Sequence, residues 1–186
     1  MADTMPISIS YYQTKLVVPT IITPRETKYL SEIDDQGSTR FHSHLLIFYK
    51  LIEGPNRKLM VNCEGIMFIE ADANVVLDKL GDSIKPPCPY LDLLLHNIPG
   101  SDGIIGCPLL LVQVTRFSCG GFAIGFRVNH TMMDAYGFKM FLNALSELIQ
   151  GANVPSILPV WQRDLLSATS SPSITCTHHE FDGKIE

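Results

Sequence analysis

Segments rich in aromatic and branched apolar residues mark the predicted β-strands of this chain. The first runs from Phe41 to Ile52, and Glu53-Gly54-Pro55-Asn56 supplies a turn after it. Two shorter segments, Leu59 to Cys63 and Ile66 to Glu70, predict strands joined around Glu64-Gly65. The clearest hairpin is predicted from two longer segments that flank Ser118-Cys119-Gly120-Gly121, namely Leu109 to Phe117 and Phe122 to Asn129.

A helical pattern follows the last of these strands. Apolar residues recur at helical spacing between Ala135 and Gln150, at Phe138, Phe141, Leu142, Leu145, Leu148 and Ile149. Gly151 supplies a C-terminal stop for this helix. Shorter helical segments are predicted at Asn74 to Leu80 and Leu91 to His96. Residues Met1 to Gly37 predict an extended arm with one edge strand, and the Ser-rich stretch Ser167 to Ser173 predicts a linker. Strands that outnumber helices indicate an α/β or α+β class.

Composition and charge exclude several classes of protein. The chain has 14 basic and 19 acidic residues, a formal charge of −5, so it offers no basic stripe for nucleic acid. No apolar run of about 18 residues predicts a membrane span, and the N-terminus lacks a signal-peptide pattern. Five scattered cysteines without a CxxC pair fit neither a disulfide framework nor a zinc knuckle. We therefore expect a cytoplasmic protein that binds neither membrane nor nucleic acid.

His130 is the candidate catalytic residue. The sequence from Gly120 to Asp134 reads GGFAIGFRVNHTMMD, and His130 continues the parity of the apolar residues Phe122 to Val128. A histidine where a strand gives way to a helix can accept a proton from a hydroxyl near neutral pH. A hydrogen-bonded structural histidine is the alternative that spacing alone leaves open.

Asp134 and Arg127 are the two charged residues closest to this histidine in the sequence. Asp134 directly precedes the predicted helix and is well placed to act as its N-cap. Arg127 lies on the opposite face of the strand from His130. It could pair with Asp134 or be exposed to solvent, and the sequence does not decide between these alternatives.

The run CPLLLVQVTRFSCGGFAIGFRVNHTMMDAYGF resembles the segment of the plant BAHD acyl-CoA-dependent acyltransferases that contains their HxxxD motif. Further segments resemble the same family in the same order along nearly the whole chain. They are TPRETKYLSEIDDQ, EGPNRKLMVNCEG, FIEADANV, ILPVWQRDLL and TCTHHEF. Within the family the chain looks like the branch of benzyl alcohol benzoyltransferases, methanol anthraniloyltransferases and fruit-ester alcohol acyltransferases.

The resemblance implies an α/β, chloramphenicol-acetyltransferase-like fold, with a mixed sheet and flanking helices. It implies a transferase of plant specialised metabolism, monomeric when intact, that uses acyl-CoA as a co-substrate and a small alcohol as acceptor. No cofactor is bound permanently and no metal is needed. His130 is then the general base, while Asp134 and Arg127 belong to the structural part of the motif.

The chain departs from the family in two respects. We expect residues 1–165 to form an incomplete N-terminal transferase domain and residues 166–186 an interdomain crossover, with the C-terminal domain absent. Phe48-Tyr49-Lys50 also runs directly into Leu51 to Pro55, where the family has a further helix and strand. The resemblance implies that the missing domain supplies one wall of the substrate channel, and loss of the helix and strand would leave an uncovered sheet edge. We therefore expect the chain alone to be weakly active or inactive.

Two other readings compete with the enzyme. The chain could be a non-catalytic remnant that binds partners or interferes with full-length relatives. A metal site could be formed by Cys176, His178, His179 and Glu180, although neighbouring residues of an extended chain point in opposite directions and cannot enclose a metal alone. His42 and His44 share one face of a strand, but two ligands do not make a site.

Overall fold

A computed structural model describes residues 6–19, 30–31, 35–49, 65–99 and 107–160. The strands are β1 (Ile9–Tyr11), β2 (Lys15–Val17), β3 (His42–Tyr49), β4 (Ile66–Ala73), β5 (Leu110–Phe117) and β6 (Phe122–Asn129). The helices are α1 (Leu91–Leu94) and α2 (Ala135–Ile149), with short 3₁₀ helices at Gly37–Thr39 and Leu77–Ile84.

The six strands form one mixed sheet in the order β1-β4-β5-β6-β3, with β2 beside β1 on the same edge of β4. β4 and β5 are parallel, and the other neighbouring pairs are antiparallel. The prediction of an α/β mixed sheet with flanking helices is confirmed. These directions make β3 parallel to β4, so the chain leaves β3 at the end of the sheet opposite to the one where it enters β4.

The hairpin of β5 and β6 lies at the centre of the sheet and ends at the candidate histidine. Its turn places Gly120 at a φ of 82°, a conformation that favours glycine. A Cβ on Gly121 would lie 2.8 Å from the carbonyl oxygen of Tyr49, so the turn passes directly against the end of β3. Both strands begin and end within one residue of the predicted positions.

One face of the sheet, here called the α1 face, is covered by α1 and the 3₁₀ helix at Leu77–Ile84. Leu94 of α1 is completely buried, and it joins Ala73, Phe117 and Ala123 in one apolar cluster. A Cβ on Gly125 would lie only 2.6 Å from the carbonyl oxygen of Leu94. Glycine at this position therefore allows the backbone of α1 to approach the middle of β6.

The opposite face, here called the α2 face, is covered by α2. The ring of Phe126 is buried and makes edge contacts with Phe138 and Phe141 of the helix, at centroid distances of 5.3 and 6.4 Å. No residue of α2 is fully buried within the described residues. The predicted apolar stripe of α2 does face the sheet, but it covers that face only in part.

Other parts of the prediction differ from the structure or lie outside it. The N-terminal arm contributes two short strands where one was predicted, because β4 offers an edge long enough for both β1 and β2. The predicted helix at Asn74 to Leu80 begins later and is a 3₁₀ helix. The predicted strand at Leu59 to Cys63, the linker and the Cys176 to Glu180 cluster lie outside the described residues.

Candidate functional site

His130 directly follows the last residue of β6 and lies at the start of the turn that leads to α2. Its backbone N–H donates to the carbonyl oxygen of Phe41 at 2.8 Å, which extends the pairing of β3 and β6 by one residue. The imidazole is half-buried and stacks on the ring of Phe41, with 4.7 Å between centroids and 28° between planes. The side chain is therefore placed by a strand end and by an aromatic neighbour.

The turn after His130 is organised by Asn129. This residue is buried, and its side-chain oxygen accepts from the Thr131 N–H at 3.1 Å and from the Thr131 hydroxyl at 2.8 Å. Its carbonyl oxygen accepts from the Met132 N–H at 3.0 Å. An asparagine that bonds the backbone two residues on forms an Asx-turn, which redirects the chain in a fixed way. Asn129 thus fixes the backbone on the C-terminal side of the histidine.

Asp134 is the N-cap of α2, as its position before the helix predicted. Its Oδ1 accepts from the Gly137 N–H at 2.7 Å, and its backbone is extended, as is usual at an N-cap. The carboxylate also lies at the positive end of the helix dipole. Asp134 therefore holds the start of α2 relative to the turn that bears His130.

Arg127 lies on the α1 face, opposite to His130, as parity predicted. The alternative that it is exposed on the surface is wrong, because only 8% of the residue is accessible. Its Nη1 donates to the Asn97 side-chain oxygen at 2.6 Å. Arg127 therefore ties β6 to the segment after α1, a contact across 30 residues that the sequence did not reveal.

His42 and His44 also lie on the α1 face, opposite Asn129 and Arg127 in the strand register. Loss of hydration lowers the pKa of His44, and the positive charges of Arg127 and His42 lower it further, while Asp92 acts in the other direction. The Sγ of Cys107 lies 3.7 Å from Nε2 of His42. These two histidines are therefore separated from His130 by the sheet itself.

Thiols are further candidate reactive groups within the described residues. Cys88, Cys107 and Cys119 are free thiols, and no group of three or more His, Cys, Asp or Glu side chains in the described ranges is arranged to hold a metal. None of the helices seen in those ranges combines the length and apolar character that a bilayer crossing requires.

The arrangement defines a class of site. A half-buried imidazole at a strand-to-helix junction, restrained by an Asx-turn and an aromatic ring, suits proton transfer with a group that approaches the α2 face. The sequence had pointed to His130 and Asp134 but missed Phe41 and Asn129. Only the register of β3 against β6, which places His42 opposite Asn129, could have indicated that Phe41 meets His130.

The fold resembles that of a protein whose structure has been solved. The crystal structure of vinorine synthase superposes with a TM-score of 0.65 over 83% of this chain and 46% of that chain. The two sequences are 21% identical over this match, so the comparison concerns the fold.

The Transferase family profile matches residues 50–185, and the chain belongs to that family. Alcohol acyl transferase 1 allele GSd of Malus domestica is 48% identical over a match that covers 97% of this chain and 47% of the relative. Benzyl alcohol O-benzoyltransferase of Nicotiana tabacum is 47% identical, with 90% of this chain and 44% of the relative covered. The resemblance to the BAHD acyltransferases and their alcohol acyltransferase branch is confirmed.

The chain spans about half the length of the curated relatives it matches. The match to the apple protein also extends over 214 aligned positions, whereas 97% of 186 residues is about 180. About 34 aligned positions therefore have no residue in this chain. This difference agrees in size with the helix and strand expected between Lys50 and Leu51.

Proposed function

We propose that this chain carries the histidine-bearing part of an acyl-CoA-dependent alcohol O-acyltransferase. The observation that carries the proposal is the position of His130 at the end of β6, beside the partly covered α2 face. The relatives support the reaction class, since their names describe acyl transfer to alcohols and, for the tobacco protein, benzoyl transfer to benzyl alcohol.

In the proposed reaction, the neutral imidazole of His130 accepts the hydroxyl proton as the alcohol oxygen attacks the thioester carbonyl of acyl-CoA. The tetrahedral intermediate collapses with cleavage of the carbon–sulfur bond. The proton passes from the imidazolium to the departing CoA thiolate, and an ester and free CoA are released. The acyl group is never attached to the protein, so the reaction requires no nucleophilic side chain.

Asp134 and Arg127 have structural roles in this proposal. Asp134 caps α2, and Arg127 connects β6 to Asn97 on the α1 face. Acyl-CoA is a co-substrate and not a resident cofactor. We propose a cytoplasmic location for the protein, and a monomeric state for the intact members of the family. We also propose that the chain is weakly active or inactive alone. About half of each relative's length and about 34 aligned positions have no counterpart in it.

The test is ester formation from benzoyl-CoA and benzyl alcohol, detected by mass spectrometry. It is measured for the chain alone and for the chain co-expressed with the second half of the tobacco relative. We expect trace turnover alone and a higher rate in the second case. His130→Ala should lower that rate about 100-fold or more, because a general base contributes on this order. Asp134→Asn should retain most of it, because an amide oxygen still caps the helix.

His96→Ala is the matched control, because His96, like His130, stacks on an aromatic ring, that of Tyr11, at 4.3 Å, and it is exposed. It should leave ester formation unchanged. The role of His130 is refuted if His130→Ala and His96→Ala give the same rate. Full turnover by the chain alone would refute the proposal that the chain is weakly active or inactive alone. Absence of ester from both the chain alone and the co-expressed preparation would refute the acyltransferase assignment.

A second candidate is a non-catalytic remnant that binds full-length relatives. The observation that favours it is Leu45, an exposed apolar residue on the α2 face of β3, which is an edge strand of the described sheet. Added in excess to the intact tobacco relative, such a chain would lower that relative's rate. An unchanged rate, together with separate elution of the two proteins in size-exclusion chromatography, would exclude this function.

A further inference from the structure

The aromatic ring beside His130 has an unusual environment for a phenylalanine. Phe41 is 46% exposed, whereas Phe126, on the same face of the sheet, is 1% exposed and belongs to the core. Within the described residues, the ring of Phe41 stacks on the imidazole of His130. Phe41 therefore contributes less to the core than Phe126 does, and its contact with the histidine is its distinguishing feature.

The backbone of His130 is already restrained on both sides. Its own N–H bonds to the Phe41 carbonyl oxygen, and the Asn129 side chain holds the two bonds to Thr131 that form the following turn. These contacts fix the Cα position but leave the rotation of the imidazole about χ2 open, and that torsion has a broad energy profile. A ring stacked at 4.7 Å restricts this rotation.

We propose that Phe41 is a positioning residue for His130, whose stacked ring selects the imidazole orientation that presents a ring nitrogen to the acceptor alcohol. The proposal deepens the function proposed above and rests on His130 being the general base. A base must lie within hydrogen-bond reach of the proton that it accepts, so restricting its rotation raises the fraction of productive encounters.

The other end of the same strand pair provides a matched control. Tyr49 stacks on Phe122 with the same centroid distance of 4.7 Å and 16° between planes. Tyr49 is 41% exposed, similar to Phe41. Both aromatic residues lie on β3 or directly before it, and each contacts the residue opposite to it on β6 or directly after β6. Tyr49→Leu therefore removes a comparable stack that lies away from the histidine.

The first measurement does not depend on activity. We expect the imidazole proton resonances of His130, observed by NMR in the full chain, to show the ring-current shift of a stacked ring. Phe41→Leu should abolish this shift, whereas Phe41→Tyr and Tyr49→Leu should retain it. If the shift is unchanged in Phe41→Leu, the stack does not exist in solution and the proposal fails.

The second measurement is the rate of ester formation with the second half of the tobacco relative. Phe41→Leu should lower kcat about tenfold with little change in the alcohol KM, because small displacements of a catalytic group have effects of this order. Phe41→Tyr should restore the rate, and Tyr49→Leu should leave it unchanged while lowering the melting temperature as much as Phe41→Leu does.

The outcomes separate this proposal from the one on which it rests. Equal losses of kcat in Phe41→Leu and Tyr49→Leu would assign Phe41 a general structural role and overturn the proposal. A rise in KM alone would make Phe41 a substrate contact, which also overturns it. If His130→Ala retains full activity, the catalytic proposal fails, whereas the NMR result still reports on the stack.

Discussion

The two faces of the sheet differ in how completely they are covered. On the α1 face, Leu94, Gln113 and Thr115 are all inaccessible to solvent. On the α2 face, strand residues such as Phe126 and Val128 are buried as well, but no residue of α2, which packs against them, is fully buried. The α1 face, here called the closed face, therefore carries the residues with no accessible surface. The α2 face, which bears His130 and is here called the open face, retains exposed side chains at Leu45 and Tyr49 that a substrate or another protein segment can contact.

This difference separates stability from function within one sheet. The strands have alternating side chains, so β6 presents Arg127 and Asn129 to the closed face and Phe126 and Val128 to the open face. His130 continues the alternation of Phe126 and Val128 and therefore lies on the open face. Substitutions on the α1 face should therefore affect folding most, whereas those beside His130 should affect chemistry.

The largest expected effect comes from comparing two leucines. Leu94→Ala on the α1 face should lower the free energy of unfolding by about 4 kcal/mol, because a fully buried side chain leaves a cavity. Leu145→Ala on α2 should lower it by about 1.5 kcal/mol, since that side chain is only partly removed from water. Urea denaturation of both variants measures the difference. Equal losses of unfolding free energy in the two variants would show that the two faces contribute alike to stability.

A smaller effect is expected from the buried amide of Gln113. Its Nε2 donates to the Leu93 carbonyl oxygen and to the Thr115 hydroxyl, both at 2.9 Å, and its Oε1 accepts from the His96 N–H at 2.7 Å. Gln113→Met keeps the side-chain length but leaves the His96 N–H without this acceptor, which should cost about 2 kcal/mol.

Thr115→Val is the control for this network, because it removes only the hydroxyl acceptor and should cost about 1 kcal/mol. Chemical denaturation compares the two variants with the unsubstituted chain. If Gln113→Met is as stable as the unsubstituted chain, the hydrogen bonds of Gln113 contribute nothing to the closed face.

The sequence predicted the parts of the fold that follow from local pattern. The bounds of β5, β6 and α2 agree within one residue, because turn glycines and an N-cap mark their ends. β1 was missed, since a three-residue strand forms only where β4 offers it an edge. The burial of Arg127 was also missed, because its partner Asn97 is distant in the sequence and no local signal announces it.

Of the candidate site, local sequence pattern indicated His130 and Asp134 but not the contact with Phe41. His130 and Asp134 follow from strand parity and from the helix start. Phe41 lies 89 positions before His130, and the two meet only because β3 pairs with β6 in a particular register. Strand register depends on the whole buried surface of the sheet, so periodicity within one segment cannot supply it.

The smallest expected effect is the pH dependence that His44 gives to the α1 face. Its pKa is lowered in the folded protein, first by loss of hydration and then by Arg127 and His42. Above the unfolded value of about 6.5 the imidazole is neutral in both states, and its contribution is constant. As the pH falls below that value, the unfolded chain binds the proton first, so folding stability declines towards the folded pKa.

Unfolding free energies of the unsubstituted chain and of His44→Gln, measured between pH 7.5 and 5.5, should therefore diverge, with the steeper fall in the unsubstituted chain. Ser43→Ala changes the neighbouring residue without removing a titrating group and should follow the unsubstituted curve. Parallel curves for the unsubstituted chain and His44→Gln would mean that the closed face does not disfavour the charged imidazole.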